Sequence, residues 1–387
     1  LELQVEAGEY RVIVHRGPEC EFSETLIQVT EAEVVAIPVE FSCLDLPDGV
    51  YSLDPHAHAA PSADGRIGSV QRMLTHAAHG IDFHISTEHD HIADYTSLIE
   101  ALKLDTMLQT IVGAEISPTL RGHHNAYPLT PNTSEVNNGA LAWWSGWTTT
   151  TDLYTQIRNM LPTEGVIQAN HPLGSSGLFD LGGYNLEMGT IQKPNFWASD
   201  FDVMELINDG SYQSYLPYYF NLLSRGHFVS PVSVSDSHGH ANGVGINRTY
   251  AYAPIDGSEA EVLSAMKAGE VVASVGPYIH VLINDQCAPG RTFVGAQTVD
   301  VELYHPSWMD IDTVSLYENG EIVESIEYIE GTLSFDISPV EDAHYAIAAS
   351  GTFPMTPLYN NSPWAISGAF FVDVAGDGWT SPLSALE

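Results

Sequence analysis

Seventeen histidines are spread along this 387-residue chain, and many of them fall in short motifs with carboxylates. His56-Ala57-His58 comes first. Alternate positions of a strand share a face, so both imidazoles can reach one ion. Asp64-Gly65 follows in a loop, then Thr87-Glu88-His89-Asp90, Glu115, His123-His124-Asn125, His171-Pro172 and Asp236-Ser237-His238. One His-x-His is weak evidence for a metal site; its strength here lies in accumulation. Imidazoles and carboxylates without cysteine suit Zn²⁺, Mn²⁺ or Fe²⁺. Clustered divalent ions bring water's pKa toward neutrality and stabilise an oxygen that gains negative charge. No Gly-x-Ser-x-Gly element is present, so a covalent serine route is not expected.

Positioning such groups requires strands that end along one edge. Candidate strands are YSLDPHAHA, GIDFHISTE, LQTIVGAEIS, EGVIQANHP, SDFDVMELIN and HFVSPVSVSDSH, and most of the motifs sit at their ends. Candidate helices IGSVQRMLTHAAHG, HIADYTSLIEALKL, TDLYTQIRNMLP and SEAEVLSAMKAGE alternate with them. That alternation, without a Gly-rich nucleotide loop, predicts a parallel α/β barrel with its site at the strand ends. Residues 1–48 alternate apolar and polar, as an N-terminal β segment would; 49–272 form the expected barrel, and 273–387 read as a β-sandwich with a hairpin at ENGE. DVAGDGW near Asp373 lacks full calcium-loop spacing and reads as a turn.

The net charge is −38, from 50 acidic and 12 basic residues. Such a surface repels duplex nucleic acid and anionic membranes. No apolar run approaches the ~20 residues of a membrane helix. The acidity suits a secreted, periplasmic or cell-surface protein whose export signal lies outside this sequence. Cys20 and Cys43 could pair and leave Cys287 free, or all three could be thiols.

Taken together, HAH…SADG, STEHD, GAEIS, GHHNA, NHP and SDSH resemble the PHP (polymerase and histidinol phosphatase) superfamily, and within it the carbaryl-hydrolase-like branch. The resemblance covers about Tyr51 to Tyr250. It implies a distorted (β/α)7 barrel holding two to three divalent ions. By motif, it implies that His56, His58, Glu115 and Asp236 hold one ion. Glu115 would bridge to a second, held also by His123 and His171, and Asp64, His89 and His238 would hold a third. The family's Thr-Asp-His is Thr-Glu-His here, which leaves the role of Glu88 open, and the Gly-His-x-Asn pattern favours His123 over His124.

Glu115 and Asp236 are expected to act at the reacting centre, with Arg248 either clamping an oxyanion or forming an ordinary ion pair. Glu205 either accepts from a ligand imidazole or belongs to a buried structural pair. His84, His91, His227 and His240 read as neighbours of the motifs rather than ligands. Trp143, Trp144 and Trp147 lie in an insertion that either shapes a substrate pocket or plugs a domain contact. The function expected is hydrolysis of small or exposed phosphoesters. The alternatives are a carboxyl ester or carbamate substrate, or a non-enzymatic protein that binds a surface ligand.

Overall fold

The computed structural model describes residues 3–143, 149–208, 212–240 and 244–386; Trp144 and Trp147 lie outside the described residues. The N-terminal segment starts as a hairpin of β1 (Gly8–Val14) and β2 (Ser23–Val29). The strand expected beyond Val29 does not form, and residues 30–49 run mostly without secondary structure. A Cys20–Cys43 disulfide closes this stretch, and Cys287 is a buried free thiol. Trp308 Nε1 donates to Cys20 O at 2.9 Å, and Ser307 N to Glu21 Oε1 at 2.6 Å, so the loop is fastened to the C-terminal region. Replacing both Cys20 and Cys43 by Ser is expected to cost about 2–4 kcal/mol of stability by loosening the unfolded chain. The urea midpoint reads this, and an unchanged midpoint would mean that the Trp308 and Glu21 contacts hold the loop unaided.

Strands β3 (Val50–Ala57), β4 (Phe83–Ser86), β5 (Gln109–Ile111), β6 (Ala114–Ile116), β7 (His124–Tyr127) and β8 (Val166–Ala169) follow. Next come a two-residue pair, β9 (Tyr184–Asn185) and β10 (Thr190–Ile191), then β11 (Val203–Asn208), β12 (Ser230–Val234), β13 (Asn247–Tyr252) and β14 (Val271–Val275). The helices among the described residues are α1 (Ser69–Ala78), α2 (Thr96–Leu102), α3 (Thr150–Met160), α4 (Leu178–Gly182), α5 (Tyr212–Ser224) and α6 (Glu259–Ala268).

This is not the expected (β/α)7 barrel. Strands account for 34% and helices for 17%, and the strands divide among several sheets. One sheet has the order β12-β11-β8-β7-β6; the other, of eleven strands, contains β14-β13-β3-β4-β5. Among β3 to β14, parallel strand pairing is confined to β3-β4-β5 and β8-β11-β12. β7 is antiparallel to both β6 and β8, and β13 to both β3 and β14. Only residues 117–123 join β6 to β7, too few for the crossover that a parallel pair needs. The expected single strand LQTIVGAEIS breaks at Gly113, and its halves β5 and β6 join different sheets. A Cβ at Gly113 would stand 2.8 Å from both Ala126 O and Ser86 O, so only glycine allows the backbones to approach there.

β14 also carries the eleven-stranded sheet into the C-terminal region, pairing with Trp364–Ser367, which pairs in turn with Ala343–Ser350. The expected boundary at 272/273 thus falls inside a strand. A separate four-stranded sheet contains Tyr278–Ile283, Gln297–Tyr304 and Leu333–Ile337. The ENGE hairpin forms between Thr313–Glu318 and Glu321–Glu327. One apolar core runs from Ile92 to Val372 across both regions. Asp373 accepts from Gly376 N and Gly378 N, which makes its loop a turn. Among the described residues, no helix is long and apolar enough to cross a membrane.

Candidate metal centre

The motifs gather at one edge of the two sheets. β3 carries His56, with His58 just beyond it; His89 follows β4, His171 follows β8, and Asp236 and His238 follow β12. β6 carries Glu115. Because β7 is antiparallel to β8, the start of β7 lies at this same edge and brings His123 there. Single bridges, His89 with Glu115 and Ala57 with Ser237, join the sheets here.

All nine expected ligands meet in this cluster. His56 Nε2 and His58 Nε2 are 3.0 Å apart. Asp236 Oδ1 lies 3.3 Å from the first and 3.2 Å from the second. Glu115 Oε1 is 3.6 Å from His56 Nε2, 3.1 Å from His123 Nδ1 and 3.5 Å from His171 Nε2. Its Oε2 is 3.6 Å from His58 Nε2. Asp64 Oδ2 stands 3.2 Å from His238 Nε2 and 3.4 Å from His89 Nε2. Among the described residues, three groups bring their candidate ligand atoms within 4.8 Å of one another: His56, His58 and Glu115; His89, Glu115 and His123; and His58, Asp64, His89 and His238. His58 and His89 thus each face two groups, a sharing that the three-way partition implied by the resemblance does not contain.

The donor set fits divalent ions. Glu115 Oε2 is buried and makes no hydrogen bond, although His89 Nδ1 is 2.7 Å away; that nitrogen is engaged by Ser117 Oγ at 2.6 Å. Acceptors that face one another in a buried pocket repel unless a cation joins them. Burial disfavours a charged His56, yet Asp236, Glu205 and Glu115 hold its pKa well above the ordinary value. Burial would likewise raise Glu115, but His56, His123 and His171 hold it well below the usual carboxylate range. Such a pocket attracts positive charge, and protons compete with metal for the same lone pairs.

Further residues orient the ligands. Glu205 Oε1 lies 2.6 Å from His56 Nδ1, and its Oε2 accepts from His171 N at 2.5 Å. Asn170 Nδ2 donates to Glu115 Oε1 at 3.0 Å, and Asn208 Nδ2 to Asp236 Oδ2 at 3.1 Å. Arg72, fully buried, donates to His58 O and Ser237 O and so ties two ligand loops together. His171 and Asp236 have φ of 25° and 45°. Left-handed backbone at residues other than glycine costs on the order of 1–3 kcal/mol and collects at functional sites. The sequence reading singled out Glu205 but not Ser62, Arg72, Asn170 or Asn208. Their one signal was a polar side chain within or beside a buried motif.

His124 turns away from the cluster. Its ring nitrogens meet Tyr154 OH and Arg121 O, and burial pushes its pKa down to about 3. His123 therefore takes the place beside Glu115. Arg248 is not at the centre. It is fully buried, its Nη1 pairs with Glu19, and Nη2 donates to His79 O at 2.8 Å. Of the two roles open to it, Arg248 takes the ion pair, which holds the N-terminal segment, and not the oxyanion clamp. Trp143 Nε1 donates to Asp90 Oδ1 at 2.8 Å, beside His89. His84, His91, His227 and His240 join none of the three groups.

Exposure is graded across the centre. The His56 and His58 side chains are 0% exposed and Glu115 is 1%, whereas His238 is 31% and Asp64 is 53%. Asp64→Ala is therefore expected to lower the metal content by about one ion per chain while the buried groups keep theirs. Elemental analysis decides; an unchanged content would remove Asp64 from the ligands. The chain matches no protein-family model and no curated protein.

Proposed function

We propose that this chain is a metal-dependent hydrolase with the motif chemistry of the PHP superfamily, acting on small or exposed phosphoesters. The observation that carries the reading is the sharing of buried Glu115 between two ligand groups, with a third group beside them. Divalent ions held there would supply activated water and charge stabilisation. The chain's own residues do the positioning. Asn208 engages Asp236 Oδ2 and leaves Oδ1 facing the two imidazoles. Asn170 and the strand β6 fix Glu115 between them.

Charge supports a phosphoester narrowly. Three ions would bring six positive charges. Asp64, Glu115 and Asp236 offset three, and the adjoining buried Glu205 and Glu88 two more. With Arg248 occupied elsewhere, Arg66 is a cation whose backbone lies beside His238 at this rim. It is exposed, and its backbone N donates to His238 O at 2.7 Å. The second reading, a carboxyl ester or carbamate, is favoured by the withdrawal of Arg248, since those substrates need no cationic clamp. The Cys20–Cys43 disulfide supports residence in an oxidising compartment.

The test is a panel of chromogenic phosphomonoesters, phosphodiesters, carboxyl esters and carbamates, with metal measured on the same sample. Phosphoester turnover with competitive inhibition by inorganic phosphate is expected. Arg66→Gln should raise KM for phosphoesters on the order of 10-fold, the weight of one charge-assisted contact. Efficient carboxyl-ester turnover untouched by phosphate, with every phosphoester inert, would transfer the assignment to the second reading.

A further inference from the structure

We propose that Glu88, acting through Ser62, is a positioning residue that fixes the tautomer of His58 and turns its Nε2 lone pair toward the ligand groups. The inference deepens the metal-binding reading and rests on it, because an aligned lone pair matters only if a cation is to be held.

The argument follows a single proton. Ser62 Oγ has three neighbours: Glu88 Oε2 at 2.6 Å, His58 Nδ1 at 2.9 Å and His89 N at 3.0 Å. A hydroxyl donates once and accepts twice. His89 N–H can only donate, so it takes one Ser62 lone pair. The proton then goes either to Glu88 or to His58. Every other group close to Glu88 is a donor: Ala59 N at 2.9 Å and Ser62 N at 3.2 Å from Oε2, and Tyr95 OH at Oε1. Glu88 is therefore an acceptor, and a contact of 2.6 Å is the length of a charge-assisted O–H···O bond. Ser62 gives its proton to Glu88 and keeps one lone pair for His58 Nδ1, which must then carry hydrogen.

A neutral imidazole protonated at Nδ1 has its lone pair at Nε2. His58 Nε2 stands 3.2 Å from Asp236 Oδ1 and 3.6 Å from Glu115 Oε2. His56 Nδ1 meets its carboxylate directly, with Glu205 Oε1 at 2.6 Å. One imidazole thus meets a carboxylate and its neighbour meets a carboxylate through a hydroxyl. Ala59 N and Ser62 N also bind Glu88, so the same carboxylate holds the loop that leads to Asp64.

The tautomer can be read without metal, in long-range ¹H–¹⁵N spectra of the metal-free chain labelled with ¹⁵N-histidine. His58 signals are assigned by their loss in His58→Gln. Wild type is expected to show His58 as Nδ1–H. Ser62→Ala should shift it toward Nε2–H and weaken Zn²⁺ affinity in chelator competition by roughly 10- to 100-fold. Ser62→Thr, which keeps the hydroxyl, should restore both. Glu88→Gln should mix the tautomers, because Ser62 is then free to donate to His58, and a thermal melt of each variant identifies any loss of fold. An Nε2–H tautomer in wild type overturns the proposal, as does a folded Ser62→Ala variant with unchanged tautomer and zinc affinity. A wild type that shows Nδ1–H but binds no zinc supports the relay and overturns the metal reading instead.

Discussion

Glu115→Gln is expected to remove at least about 1,000-fold of the activity, on the order of 4 kcal/mol of transition-state stabilisation, while the fold survives. The side chain is 1% exposed, and its two oxygens face five imidazoles between them. Asn170 Nδ2 donates to Oε1 at 3.0 Å. A glutamine would therefore keep its carbonyl oxygen toward Asn170 and place its NH₂ on the Oε2 side. There it would offer hydrogens to His58 and His89, where the carboxylate offers lone pairs. The substitution also deletes the charge common to two ligand groups. Volume hardly changes, so circular dichroism and the melting temperature should stay close to wild type. Metal content should fall together with turnover. A well-folded Glu115→Gln variant with wild-type turnover would end the bridging role.

The clustered histidines and carboxylates were legible because each stands in a motif at a strand end or turn, where such a residue is conspicuous against an apolar run. The pairing of the strands was not. Gly113 reads locally as one more residue of an apolar run, and its close approach to Ala126 and Ser86 exists only once β4 and β7 lie beside it. The antiparallel course of β7 depends on a link too short to cross over, and no periodicity reports that. α5 was missed for a different reason. Pro217 stands inside it and normally breaks helices. The buried face formed by Tyr215, Tyr219, Phe220, Leu222 and Leu223 compensates. Arg248 shows the limit for charges. Its position after the last motif suggested the site, but β13 carries it to Glu19, a partner 229 residues away. Glu88 was conspicuous as a departure from the pattern that the motifs resemble, yet its meaning depends on Ser62, which the sequence presents only as a small polar residue in a loop.

Removing the metal should make stability depend on pH in a way the loaded protein does not share. In the metal-free chain, His56, His89 and His171 have folded pKa values above that of an ordinary histidine: burial opposes their charge, but neighbouring carboxylates outweigh it. A histidine raised in this way contributes stability that is complete below its unfolded pKa of about 6.5 and is lost as pH rises through the folded pKa. Other groups act outside that window. Burial, the largest influence on each, lowers His79, His124 and His344; the stability they lose by protonation in the unfolded chain is recovered by about pH 7.5. Glu115 and Asp236 are lowered, despite burial, by the imidazoles beside them, and their contribution fails only in acid. Cys287, pushed by burial up to about 12, matters only above the thiol range of the unfolded chain. Above about pH 7.5, where the lowered histidines no longer contribute, the metal-free protein should therefore lose melting temperature as pH rises toward the raised folded pKa of His56, whose proton neutralises Asp236, Glu205 and Glu115. Zn²⁺ in 100-fold excess over its Kd should add about 2.7 kcal/mol, and its benefit should grow across this interval because fewer protons compete for the lone pairs. Melting curves of chelated and reloaded samples at several pH values measure both effects. Parallel curves, with no widening of the gap as pH rises, would mean that the ion does not replace a proton at His56.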